Sequence, residues 1–212
     1  MATKANIIKV YAQADSAKKV DIIIKYYPNF MGIVESYTDG LRYMIENEKA
    51  FNRQANRGEL GVRVQAKGNH SDITGNSAIA SVMTREALVA CDFSGDVLEG
   101  VDRQEQYKQE ALTLRTMRLD YELFNQQLGI LGEEESEVFQ QFIRGEKDLQ
   151  AIAEDKGIVY ESAQQRIHRA KRKLKVQMVG FFNCLAYGWI QTVNRVRTFR
   201  IDPRPPFTFD YE

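Results

Sequence analysis

The chain has 212 residues, 43% of them hydrophobic and 27% charged, and its 29 lysines and arginines balance 29 aspartates and glutamates. That composition excludes a mainly disordered chain and predicts a water-soluble fold of one large or two small domains. The two cysteines, Cys91 and Cys184, and the two histidines, His70 and His168, stand too far apart for a disulfide framework or a spaced zinc motif. No metal and no cofactor is therefore expected, and both thiols read as buried and reduced.

The first residues, MATKANIIKVYAQADSAKKV, lack the apolar core of a signal peptide, and no run approaches the ~20 apolar residues that cross a bilayer. A cytoplasmic protein without membrane contact is expected. Residues 1–57 read as an N-terminal helical segment. Ile23, Tyr27, Phe30, Val34, Tyr37, Leu41, Met44 and Phe51 recur at spacings mostly of three and four, the seam of an amphipathic helix. The spacing predicts one long helix over 29–57, with Pro28 in its first turn, where a missing amide hydrogen costs nothing. Such a seam packs inside the monomer or forms a helix pair with a second copy, so a homodimer through the N-terminal helices is one expectation.

Residues 58–76 are punctuated by Gly58, Gly61, Gly68 and Gly75 with Asn69, Ser71, Asp72, Thr74 and Asn76, which reads as a linker or long loop. The stretch lacks the Lys-Ser/Thr of a phosphate-binding loop. Residues 77–130 read as a helical connector. Its first helix, started by Asp72 or Thr74, carries Ile79, Val82 and Met83. A second helix is predicted over 98–128, with Leu114, Met117, Tyr121, Phe124 and Leu128 pointing into a core.

Charge then becomes uneven. From 131 to 161 acids dominate, whereas Arg166 to Lys175 contains no acid at all. Three helices are predicted, over 134–144, 148–156 and 160–178, with Gly145 and Gly157 at the turns and Asp148 as an N-cap. Helix, tight glycine turn, helix is the pattern of a helix-turn-helix over 131–178. In its last helix Ala163, Ile167, Ala170 and Leu174 share one face and leave the polar residues to water or a partner. Tyr160, Glu161, Gln164, Gln165 and His168 are the candidates for reading base edges by hydrogen bonds; Arg166, Arg169, Lys171, Arg172, Lys173 and Lys175 are the candidates for phosphate contacts. The plainer alternative is that the lysines and arginines stabilise a helix C-terminus through its dipole and stay solvated.

The stretch LGEEESEVFQQFIRGEKDLQAIAEDKGIVYESAQQRIHRAKRKLK resembles region four of bacterial sigma factors, in the Ile152-Ala153 pair, Gly157-Ile158 and the RIHRAKRKL run. Val159 departs from that pattern, which usually places a Ser or Thr cap there. A second stretch, GVRVQAKGNHSDITGNSAI, is similar to one in ArpU-like late transcriptional regulators of phages and integrated elements. No segment resembles sigma region two. Together the resemblances imply an all-α fold, long N-terminal helices followed by a sigma region-four-like helix-turn-helix. They further imply a DNA-binding regulator of phage or mobile-element transcription that contacts double-stranded DNA and bacterial RNA polymerase. A divergent sigma factor and a DNA-packaging protein like a small terminase subunit are the alternatives. No nucleophile–base pairing or metal spacing suggests an enzyme.

Residues 179–212 hold the rest of an apolar run, VQMVGFFNCLAYGWI, expected to pack back on the fold, and a tail that is flexible or docked. Arg195, Arg197 and Arg200 in it are further candidates for phosphate contacts.

Overall fold

In the computed structural model the backbone is described for residues 4–57 and 73–198 and the side chains for 7–55 and 75–183. Those residues are mostly helical, with no strand among them. In chain order they form α1 (Lys4–Ala12), α2 (Ser16–Tyr26), α3 (Phe30–Arg57), α4 (Ile73–Ala90), α5 (Gln104–Gln127), α6 (Glu133–Ile143), α7 (Leu149–Asp155) and α8 (Tyr160–Thr198), with 3-10 turns at Tyr27–Asn29, Asp96–Leu98 and Leu128–Ile130.

Local chemistry sets several boundaries. Asp15 caps α2, its carboxylate accepting from the Lys18 amide at 2.6 Å, and Pro28 sits in the turn between α2 and α3. The expected seam is therefore divided over two helices. Ile23, Tyr27, Phe30, Val34 and Leu41 are buried within the chain, Tyr37 is half-buried, but Met44 and Phe51 are exposed. The side of α3 that faces α5 there is the one carrying Leu41, Ile45, Glu48 and Asn52, with Ile45 buried and Asn52 donating to the Gly100 carbonyl, so Met44 and Phe51 fall on the side turned away. Of the linker expected over 58–76, Ile73 to Asn76 belong to α4, with Thr74 inside that helix, and 58–72, Asp72 included, lie outside the described residues. On α4 the buried side is Thr84, Ala87 and Leu88, and Ile79, Val82 and Met83 face outward, 59%, 57% and 52% exposed. The helix expected from 98 begins at Gln104, preceded by a 3-10 turn and a bend; its stripe of Leu114, Met117 and Phe124 is buried as expected, with Tyr121 half-buried.

The largest correction concerns the end of the chain. The helix expected to stop at 178 continues unbroken to Thr198, so the apolar run is part of α8 rather than a separate segment folded back. Met178 and Phe182 are buried on it, while Val176 and Phe181 are exposed. Side chains beyond Asn183, including Cys184, Arg195 and Arg197, and all of Arg200, lie outside the described residues, as does His70. Cys91 is half-buried rather than buried.

One buried apolar cluster runs from Ile7 to Phe182. Residues 131–178 thus share their core with α2 and α5, against which α8 also packs. An aromatic group joins α1, the α2–α3 turn and α5: Phe30 stacks on Tyr121 with ring centres 5.3 Å apart, Tyr11 meets Phe30 edge-on, and the Tyr27 hydroxyl donates to Asn125 at 2.6 Å. Deeper in, the Tyr11 hydroxyl donates to Asp120 at 2.7 Å, and burial pushes both groups' pKa values up.

The far half of α3 is tied to α5 by one carboxylate. Glu48, 9% exposed, accepts from the amides of Asp102 and Arg103 (2.8 and 3.2 Å), from the Arg103 guanidinium (2.8 and 3.0 Å) and from the Tyr107 hydroxyl (2.7 Å). Arg103, at the N-cap of α5, makes no cap bond with its own side chain, so Glu48 caps that helix from a distance. The Tyr107 bond, with the Arg103 and backbone bonds, outweighs desolvation and lowers the Glu48 pKa from 4.5 to about 2. A carboxyl held below its unfolded value contributes stability above that value and loses it as pH falls. Glu48→Gln should cost on the order of 2 kcal/mol at neutral pH and flatten the loss of stability between pH 4.5 and 2. Urea midpoints followed across that range check this; parallel acid limbs for the two proteins would contradict it.

Candidate nucleic-acid interface

Residues 133–183 build a surface from α6, α7 and the first half of α8. Glu133, Glu134 and Glu135 open α6, on the end of the helix dipole that favours acids. Both turns that follow close in the same way. Gly145 (φ +73°) donates to the Phe142 carbonyl at 3.0 Å and Glu146 to Gln141 at 2.9 Å; Gly157 (φ +60°) donates to Glu154 at 3.2 Å and Ile158 to Ala153 at 2.9 Å. These are Schellman motifs, which need a left-handed residue that only glycine adopts at little cost. Asp148 caps α7, accepting from the Ala151 amide at 2.8 Å, and Ile152 and Ala153 are buried against α8.

The chain then enters α8 at Val159, whose carbonyl accepts from the Ala163 amide while its side chain, 65% exposed, offers no capping oxygen. Ala163, Ile167, Ala170 and Leu174 are buried on one face. By helical period, Glu161, Gln165, His168 and Arg172 lie on the opposite face, and all four are exposed. Tyr160, Gln164, Arg166 and Arg169 are exposed as well, so every base-reading candidate is accessible and the helix presents them within three turns.

The six basic candidates separate into two groups. Lys171 and Lys175 reach back to Asp21 of α2, at 3.1 and 2.6 Å, and Lys173 reaches Glu135 of α6 at 2.6 Å. Burial raises the Asp21 pKa, but the two ammonium groups outweigh it and hold the carboxyl below its usual range. Arg166, Arg169 and Arg172 have no carboxylate within 4.0 Å among the described residues, Arg169 donating instead to Gln165 at 3.3 Å. Arg166 and Arg169 line a cleft of about 210 Å³ with Glu134, Glu135, Val138 and Lys156. The three arginines are thus exposed and without a carboxylate partner among the described residues, while the lysines clasp neighbouring helices. Sequence reasoning missed Asp21 and Glu135 because partners so distant in the chain leave no local signal. A helix end at Lys175, the alternative explanation for this charge run, is absent, since α8 runs on to Thr198.

Among the described residues no group of three or more His, Cys, Asp or Glu side chains is placed to hold a metal ion, and no helix is long and apolar enough to cross a membrane. No family model, curated protein or solved structure matches the chain.

The turn before α8 can be tested in both directions. A Cβ at position 157 meets nothing within 4 Å, so Gly157→Ala should cost only the left-handed strain, about 1–2 kcal/mol. Val159→Ser supplies the missing cap and should add about 1 kcal/mol. Denaturant unfolding followed by circular dichroism reads both; equal midpoints for the two variants and the parent would contradict this account of the turn.

Proposed function

We propose that this chain is a sequence-specific, double-stranded-DNA-binding transcription regulator of phage or mobile-element type, with α7, the turn at Gly157 and α8 as its helix-turn-helix. The observation that carries the reading is the outward face of α8: a long helix held by its apolar stripe, presenting Glu161, Gln164, Gln165 and His168 at its start and, alongside and beyond, Arg166, Arg169 and Arg172, which have no carboxylate partner among the described residues. Glutamine side chains hydrogen-bond base edges in pairs, and guanidinium groups match phosphate geometry. A helix inserted in the major groove needs that order, with base contacts near its N-terminus and backbone contacts flanking them.

The likeness to sigma region four and to ArpU-like regulators supports the same reading and extends it to a contact with bacterial RNA polymerase. A homodimer formed through the N-terminal helices would use surfaces other than the seam at Ile23, Tyr27, Phe30, Val34 and Leu41, which is buried within one chain. Recognition does not require Lys171, Lys173 and Lys175 to contribute equally with the arginines, because each lysine already has an internal carboxylate partner.

Selection of duplexes from a random library with the full-length chain should enrich a single motif. Gln164→Ala and Gln165→Ala should then relax preference at the contacted base pairs by about 1–3 kcal/mol each. Arg172→Gln should weaken binding to all sequences alike and make the salt dependence shallower by about 0.9 per lost phosphate contact. A library that yields no motif, or variants that bind as the parent does, would overturn the proposal.

A further inference from the structure

We infer that α2 is a second arm of the DNA interface, and that Asp21 on it occupies the place of a backbone phosphate between Lys171 and Lys175. The inference rests on the reading of α8 as the DNA-binding helix. Lys18, Asp21 and Lys25 fall at i, i+3 and i+7 of α2, on one side of that helix, and Lys18 and Lys25 are exposed. Asp21 is the residue of that side that meets α8: one carboxylate oxygen lies 3.1 Å from the Lys171 ammonium and the other 2.6 Å from that of Lys175. Two oxygens bridging two cations one helical turn apart is how the non-ester oxygens of a phosphate sit on a pair of lysines.

The cluster is within reach of a ligand. The side chains of Asp21, Lys171 and Lys175 are 40%, 41% and 34% exposed. At the α2–α8 junction the four lysines Lys18, Lys25, Lys171 and Lys175 outnumber the two carboxylates Asp21 and Asp15, the latter the cap of α2, on the flank of α8 that also carries Gln164. A duplex whose groove receives the start of α8 has its phosphates running along such a flank, and Lys18 and Lys25 extend the track onto α2. Net charge gives no hint of this surface, because the acids that balance it are elsewhere in the chain. Asp21 has a definite effect there. Any phosphate that binds Lys171 and Lys175 must first displace a carboxylate already bound, so Asp21 subtracts from sequence-independent affinity and leaves base contacts a larger share of the total. It sets how strongly the chain discriminates rather than whether it binds.

The measurement is the affinity of the full-length chain for a short duplex of mixed sequence over a series of salt concentrations, for the parent, Asp21→Asn and the double variant Lys18→Gln with Lys25→Gln. Asp21→Asn should bind more tightly with a salt dependence steeper by about one to two units, since two lysines become available at about 0.9 per phosphate. The double lysine variant should bind more weakly, with a dependence shallower by a similar amount. Thermal unfolding of all three checks that the fold is kept; should Asp21→Asn unfold, the double variant, which breaks no ion pair among the described residues, still decides. Binding by the parent with unchanged affinity and slope in the folded variants overturns this inference and leaves the assignment of α8 standing. A parent that binds no duplex at any salt overturns the assignment of α8, and this inference with it.

Discussion

The apolar stripe of α8 is the constraint on which the rest of the structure depends. Ala163, Ile167, Ala170, Leu174, Met178 and Phe182 are all buried on that one helix, and they serve two sets of neighbours, α6 and α7 as well as α2 and α5. A single rigid element therefore belongs both to the turn-helix unit and to the N-terminal helices. Its orientation decides which side chains face water, and its outward face is polar and basic because the stripe takes every position the core can use.

Magnitudes show which forces hold α8. Burying an Ile, Leu, Met or Phe side chain contributes about 1.5–3 kcal/mol, whereas partly exposed ion pairs contribute roughly 0–1 kcal/mol. The bridges from Lys171, Lys173 and Lys175 to Asp21 and Glu135 are all at least a third exposed, so they trim the arrangement rather than maintain it. That inequality lets the same lysines exchange an internal carboxylate for an external phosphate without loss of the fold. The Glu48 cluster differs: a nearly buried carboxylate with five donors joins α3 to α5 and stands outside any such exchange.

Most of the segment from Glu133 to Leu174 was legible in the sequence, because its signals are local. Asp148 caps the helix it precedes, Gly145 and Gly157 take left-handed turns, and spacing of three and four separates Ala163, Ile167, Ala170 and Leu174 from their polar neighbours. What could not be read depends on tertiary context. The apolar run after Lys175 reads as a segment packed back on the fold, yet helix persists through it to Thr198. Periodicity placed Met44 and Phe51 on the seam of α3 but could not say which side of that helix α5 would cover, the side of Ile45 and Glu48. On α4, Ile79, Val82 and Met83 form an apolar face that looks like core in sequence and faces outward in the fold, and Leu112 and Leu119 on α5 are exposed as well. The partners of Lys171 and Lys175 lie in α2, at the other end of the chain, where composition and motif are both silent.

The claim that the outward face of α8 is the surface that meets DNA is tested most directly by photo-cross-linking. A photoreactive side chain is placed in turn at Gln165, Arg172, Val82 and Leu112, and each full-length protein is irradiated with a duplex it binds. The account predicts protein–DNA cross-links from positions 165 and 172 and none from 82 or 112. Cross-links confined to 82 or 112, with none from α8, would contradict it.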